Sequence, residues 1–328
     1  MDYYELQVTL AEWLNKDNMS HVIPTLIGFG QDTIEQEGIE KDRGGLRIPA
    51  MEYTVQDVPP TPYLAKNANS ITLPSDYIEM IYLALTDQIP SPVNATFTSG
   101  AGALGAGTYY YRVSAINDKG ETLASAETSL VLGGGGGVNV NWTKVDNATG
   151  YKVYGRTTNA EQLIATVGDV STYLDNGSIT PSGALPTRNT TGKYKYPVLD
   201  RFNNKHMTDS YGYSIDTSSK NRPLVYERSG NSINFNTYAD RNYVYELRYY
   251  RKLPALSVSA STNFWTDNQP KLLLYACLVE SIAYLGDDPR TNLWINLLEK
   301  AYKGAKTKYK LEQISGQRER WQGINVTF

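Results

Sequence analysis

Few side chains in this sequence could do chemistry, and the setting of each argues against it. Cys277 is the only cysteine. It stands in the apolar run 272–285 with no histidine near in sequence, which predicts a buried, inert thiol. One cysteine forms no internal disulfide and holds no metal alone, so a reducing compartment is expected. His21 and His206 are the only histidines; His206 falls in a polar loop and His21 just before a helix. The five-glycine run 133–137 has no Lys-Ser/Thr pair after it, which predicts a hairpin loop rather than a phosphate cradle. Asp288, next to Asp287 and before Pro289, reads as a helix cap. Asp76 and Glu79 have the residue types of a glycosidase pair, but no acid is visibly placed in an aromatic sugar groove. No catalytic, cofactor-binding or metal-ligating residue is therefore expected.

The chain that must position these groups has 328 residues, long enough for two domains. With 41% apolar and 20% charged residues it has the composition of a soluble folded protein. No apolar run approaches the roughly 20 residues of a membrane-spanning helix. The start, Met1-Asp2-Tyr3-Tyr4-Glu5, suggests no secretory signal. A net charge of -3 argues against a dedicated nucleic-acid binder. The 26 tyrosines suit sheets and wet interfaces. Charge is segregated: residues 1–60 hold 4 basic and 11 acidic groups, residues 299–320 hold 7 basic and 3 acidic ones. Such ends can pair within one chain or between copies in a ring.

The expected fold class is α+β. Asp2 and Glu5 form a capping box ahead of Leu6, Leu10, Trp13 and Leu14 on one helical face. A second helix starts near Pro24, and Gly28 and Gly30 weaken its middle. Strands are expected at 51–55, 70–73 and 78–85, and again at 232–235 and 243–250. Thr266 is expected to cap a continuous apolar helix over 272–285. A last helix then carries Leu293, Trp294, Leu297, Leu298, Ala301, Tyr302, Ala305 and Tyr309 on one face. It weakens near Gln313, and 318–328 reads as an irregular tail. The terminal helical hairpins are expected to close into an antiparallel bundle beside a small antiparallel β region. Residues 92–188 have a different texture, with short alternating strands at 95–97, 107–115, 129–132, 138–142, 150–156 and 163–167. That spacing predicts an inserted immunoglobulin- or fibronectin-like β-sandwich, hinged near 90–92 and 186–188. The expected domains are 1–91 with 189–328, the insert 92–188, and a C-terminal tail, 312–328.

Four stretches outside the insert carry a family likeness. They are Tyr4-Glu5-Leu6 with Trp13-Leu14-Asn15-Lys16-Asp17 and Ile23-Pro24-Thr25-Leu26-Ile27; Leu73-Pro74-Ser75-Asp76-Tyr77-Ile78-Glu79-Met80; Tyr249-Tyr250-Arg251-Lys252-Leu253-Pro254-Ala255-Leu256-Ser257; and Leu272-Leu273-Leu274-Tyr275-Ala276 through Glu280, Asp287-Asp288-Pro289-Arg290 and Trp321. In this order they resemble the head-to-tail adaptors of tailed bacteriophages, nearest to the tail tubular protein A group of short-tailed phages. The family's arginine-rich stretch is thinned here to Arg47, interrupted by Gly44, Gly45, Ile48 and Pro49. The insert resembles a fibronectin type III-like domain, on Gly107-Thr108-Tyr109-Tyr110-Tyr111-Arg112-Val113, Trp142 and Ala148-Thr149-Gly150-Tyr151-Lys152-Val153-Tyr154.

The resemblance implies a structural virion protein without chemistry, made in the host cytoplasm and placed at the head–tail junction. It implies a dodecameric ring between the portal protein and a tail nozzle protein similar to tail tubular protein B, with DNA passing through it unread and no membrane or cofactor involved. A tail fibre is a further candidate partner. The alternative class is an adhesion or decoration protein whose Tyr109, Tyr110, Tyr111, Tyr151 and Tyr154 stack on host glycan; a cell-wall hydrolase is a minor one. In a ring, Glu35, Glu37, Glu40 and Asp42 are the candidate acids to meet Lys303, Lys306, Lys308 and Lys310 of the next copy. Arg318, Arg320, Trp321 and Phe328 are the candidate portal contacts.

Overall fold

The computed structural model describes residues 1–15, 19–39, 44–55, 62–192, 198–211, 220–286 and 288–322, and of 311–322 the backbone alone. Helices α1 (Tyr3–Leu14) and α2 (Ile23–Asp32) open the chain, and a π-helical turn, Thr33–Glu37, continues α2. Strands β1 (Glu52–Val55), β2 (Tyr63–Leu64), β3 (Ser70–Thr72) and β4 (Tyr77–Leu85) follow. Next come β5 (Thr98–Leu104), β6 (Gly107–Ile116), β7 (Thr128–Leu132), β8 (Gly136–Asn141), β9 (Gly150–Arg156), β10 (Gln162–Val167) and β11 (Thr172–Asp175). Then β12 (Asp200–Arg201), α3 (Asn204–Tyr211), β13 (Lys220–Asn221), β14 (Val225–Ser229), β15 (Ser232–Phe235), β16 (Tyr238–Ala239) and β17 (Tyr243–Arg251). The chain ends in α4 (Phe264–Asn268), α5 (Pro270–Glu280), α6 (Ile282–Leu285) and α7 (Thr291–Gln322). The architecture is α+β, with helices at both termini and several small sheets between them.

The chain forms two compact units. One holds Met1–Tyr53, Asp76–Glu79 and Tyr250–Phe328; the other holds Thr54–Ser75 and Met80–Tyr249. The first is the helical unit. Asp2 and Glu5 make the capping box that starts α1, and Asn15 ends the helix in the left-handed conformation. Leu6, Leu10 and Leu14 then bury one stripe of α1, joined in a single hydrophobic core by Leu26 and Ile27 of α2, Leu273 and Cys277 of α5, and Trp294, Leu298 and Tyr302 of α7. Gly30, which weakens α2 as a helix, has a packing reason. A Cβ there would lie 2.7 Å from the Cys277 sulfur and 2.8 Å from its backbone nitrogen. The glycine lets α2 lie directly on α5.

Three expectations about this unit are corrected. Asn263, not Thr266, caps the first C-terminal helix; its side chain accepts from the Trp265 and Thr266 amides while Thr266 answers as the distal partner of the box. The apolar run does not stay one helix. It breaks at Ser281, whose hydroxyl donates to the Leu278 carbonyl at 2.6 Å. α7 begins at Thr291, and Asp288 accepts from the Arg290 N–H at 2.8 Å, as a helix cap does, while it also binds the Arg290 guanidinium, which donates to the Trp13 and Leu14 carbonyls at the end of α1. Asp287 lies outside the described residues. α7 also runs on through the stretch expected as irregular, as far as Gln322.

In the second unit, β10-β9-β6-β7 and β11-β8-β5 form two antiparallel sheets. Tyr111, Val113, Tyr151 and Val153 from one and Leu104, Val138 and Val140 from the other share one hydrophobic cluster with Phe97 and Trp142. Asp175 of β11 joins the sheets by polar contacts as well: it accepts from the Tyr111 hydroxyl at 2.8 Å and from two Arg156 nitrogens at 2.7 and 2.6 Å. The glycine run expected as a hairpin loop is half strand. Gly136 and Gly137 belong to β8 and are opposite Leu104 and Gly100 of β5. At the base of this block the two bounding stretches are tied together. The Gln88 amide donates to the Asn189 carbonyl, the Asn189 amide to the Ile89 carbonyl, and the Ile89 N–H to the Thr191 hydroxyl, all at 2.9–3.1 Å. Beyond the block lie a sheet of order β12-β14-β15-β3, the pair β13-β16, and a sheet in which β17 pairs β1, β2 and β4. The β12–β14 and β13–β16 pairs are parallel, so the β region is not wholly antiparallel as expected.

Gly30→Ala tests the α2–α5 contact because two effects oppose each other. Helix propensity alone favours alanine by about 1 kcal/mol, while overpacking against backbone costs about 1–3 kcal/mol. The expected result is a lower urea midpoint; a higher one contradicts the close approach.

Candidate assembly surface

The acidic N-terminal segment divides into a buried part and an exposed part, and the π-turn makes the division. Its wide turn closes with the Gly38 N–H donating to the Thr33 carbonyl at 2.9 Å, and Gly38 leaves it at φ 75°. Thr33, Ile34 and Glu35 face the core, while Glu37 is exposed. Glu35, expected among surface acids, is wholly buried. One of its oxygens accepts from the Trp265 indole at 2.6 Å and the Gln31 amide at 2.9 Å, and the other accepts from the Leu253 N–H at 3.1 Å. Burial raises its pKa above the usual carboxylate range, against the pull of the three hydrogen bonds and of the Lys252 charge. A carboxylate held this way has no reach to a neighbouring copy, which removes Glu35 from the candidate contacts.

Arg47 fixes the other side of the turn. Its Nε donates to Glu79 at 2.7 Å, and its Nη1 donates to the Glu35 carbonyl at 2.8 Å and to its neighbour Leu46 at 3.1 Å. The guanidinium also lies 5.8 Å from the centre of the Tyr250 ring. Gly45, at φ +70°, lets this segment press on the π-turn, since a Cβ there would fall 2.3 Å from the Glu35 carbonyl carbon. The Lys252 N–H donates to the Asp76 carbonyl at 2.7 Å. The 73–80 and 249–257 stretches thus meet around Arg47 and Glu35, and Glu79 serves as the partner of Arg47.

On α7, Lys303, Lys306, Lys308 and Lys310 are all exposed. Lys303 lies 3.6 Å from Glu299, and Lys308 sits 5.4 Å from the Tyr309 ring centre. Lys306 and Lys310 border a notch of about 330 Å³ with Gly45, Leu46, Arg47 and Tyr309. The Gly44 N–H in turn donates to the Glu37 carbonyl at 3.2 Å. The structure therefore brings the end of the acidic segment and the α7 lysines to one face of one chain. Glu40, Asp42 and Phe328 lie outside the described residues, and so do the side chains of Arg318, Arg320 and Trp321. Arg47 was legible as a lone basic residue in a gap. Trp265 gave no signal, because an indole N–H aimed at a distant carboxylate has no sequence spacing.

The other candidate groups fall outside any common site. Cys277 is buried, and burial pushes its thiol pKa up. His206 is exposed on α3, not in a loop, edge-on to Phe202 at 4.3 Å. Of the five tyrosines considered for sugar stacking, Tyr111, Tyr151 and Tyr154 are in the interior. Among the described residues no cluster of histidine, cysteine and acids could hold a metal ion, and no helix is long and apolar enough to cross a membrane.

The chain thus presents two compact units and a long helix with four exposed lysines on its surface. The chain belongs to the SU10 adaptor protein family, whose model matches residues 148–326. It is a phage adaptor, a structural protein and not an enzyme. The match begins inside the 92–188 block and extends through α7. The comparison with curated proteins finds no match.

Glu35 supplies a prediction with a definite sign. Its raised pKa means that its contribution to stability is fullest below the unfolded value of about 4.3 and declines as pH rises toward the folded value. Measured by urea unfolding across pH, wild type should lose stability relative to Glu35→Gln through that window; a difference that does not change with pH contradicts the assignment. Glu35→Ala, which strands the Trp265 and Leu253 donors, should cost about 2–4 kcal/mol.

Proposed function

We propose that the chain forms a ring, twelve copies in the reading favoured here, between the portal protein and the tail nozzle of a phage virion. The ring joins head to tail and continues the channel through which DNA leaves the capsid. The observation that carries this reading is membership of an adaptor family over more than half of the chain, 148–326. Its setting suits the role: acidic groups gather toward one end and basic ones toward the other, which favours a head-to-tail contact between unlike faces. A net charge of -3 per copy lets DNA slide without being gripped.

Within that reading the adaptor proper is 1–91 with 189–328, and 92–188 is an inserted fibronectin type III-like sandwich that projects from it and offers a surface to a tail fibre or a ring neighbour. The segment 312–328, with Arg318, Arg320, Trp321 and Phe328, reaches the portal. Glu37, Glu40 and Asp42 face Lys303, Lys306, Lys308 and Lys310 across the copy-to-copy contact. The competing arrangement pairs the same acids and lysines within one chain, where Gly44 joins Glu37 by a backbone hydrogen bond and Gly45 borders the notch beside Lys306 and Lys310.

Charge reversal separates the two. Lys306→Glu with Lys310→Glu should abolish the ring-sized species formed with the portal in sedimentation velocity, with monomer stability changed by less than about 1 kcal/mol. A ring that forms normally from a destabilised monomer would place the pairing within the chain. Absence of any portal-bound species from wild type would remove the adaptor-ring reading itself.

A further inference from the structure

Two surfaces of the helical unit match one another in shape and charge. The first is a groove of about 370 Å³ between α5 and α7. Ala301, Gly304 and Ala305 line it on α7 and Tyr275 on α5. No atom lies within 4 Å of the place a Cβ on Gly304 would take. Lys271 and Lys300 line the same groove, both exposed, and neither has an ion pair among the described residues. The groove therefore offers a shallow apolar floor with uncompensated positive charge at its edges.

The second surface is the outer face of α1. Tyr4 is 72% exposed and Val8 40%, and Ala11 is exposed as well. These residues stand at i, i+4 and i+7 and make one apolar line. Glu5 and Glu12 lie along one side of it, both exposed, and Glu5 is held by the capping box. Leu6, Leu10 and Leu14 commit the opposite side of α1 to the core of its own chain. The Tyr4–Val8–Ala11 line thus points away from that core, while Trp13, on another side of α1, lies 6.1 Å from Tyr275 of its own α5.

We propose that the outer face of α1 docks in the α5–α7 groove of a second copy of this chain. Tyr4 and Val8 cover the small residues of the floor, and Glu12 meets Lys300. The two surfaces are unlike, so the contact is heterologous and each copy offers one surface to each neighbour, the geometry from which rings close. The opposite signs at the two rims favour this register over one that sets like charges together. The inference rests on the ring reading above and names the contact that builds the ring.

The test is oxidative crosslinking of Val8→Cys/Gly304→Cys after assembly with the portal. Linkage between neighbours should give a ladder of covalent oligomers up to the full ring, absent from either single variant. A ring that assembles without the ladder overturns this contact and leaves the ring reading intact. Dimers from Val8→Cys alone overturn the heterologous geometry. Failure of wild type to assemble overturns both. A second pair tests the charges at the rim: Glu12→Lys should weaken assembly about tenfold, and Lys300→Glu in the same chain should restore it. Equal weakening in the single and the double variant overturns the pairing.

Discussion

The helical unit depends on one buried carboxylate. Glu35 collects hydrogen bonds from Gln31 on its own helix, from Leu253 just past β17, and from Trp265 in α4. Two of these partners are 218 and 230 residues away in the chain. A buried charge without such donors would cost far more than the core around it gains. The N- and C-terminal parts of the chain must therefore be in register before the acid can be enclosed. Arg47 depends on the same arrangement, since it donates to the Glu35 carbonyl while holding Glu79. The helices α1, α5 and α7 pack into the core that this carboxylate helps to lock.

Polar contacts also set the character of the second unit. Next to the 92–188 block, Gln88, Ile89, Asn189 and Thr191 tie its two bounding stretches together. Gly120 and Gly192 allow the close approach there, since a Cβ on Gly192 would lie 2.7 Å from the Gln88 nitrogen.

Much of this was legible in the sequence because local rules decide it. The Asp2–Glu5 box, the leucine stripe of α1, Pro24 at the start of α2 and the apolar face of α7 follow from spacing and capping. The strands from β6 to β10 follow from alternation. What escaped depends on distant partners. The burial of Glu35 needs a π-turn and an indole from the far end of the chain. β5, Thr98–Leu104, has the composition of a loop, yet its Gly100 pairs with Gly137, and a Cβ on Gly102 would lie 2.5 Å from the Gly136 carbonyl oxygen. Asn263 and Thr266 exchanged roles because either residue can cap, and only the path of the loop before α4 decides. Of the candidate contacts, the exposure of Glu37 and the four α7 lysines agrees with the sequence reading, whereas Glu35 was read as a surface acid from composition alone.

The account makes the molecule a link in an assembly, two folded units whose purpose lies in the surfaces they present. Cryo-electron microscopy of the chain mixed with its portal, scored for rotational symmetry, tests that claim most directly. The account predicts a twelve-fold layer seated on the portal, with the 92–188 block projecting from it. A chain that stays monomeric and leaves the portal bare would contradict it.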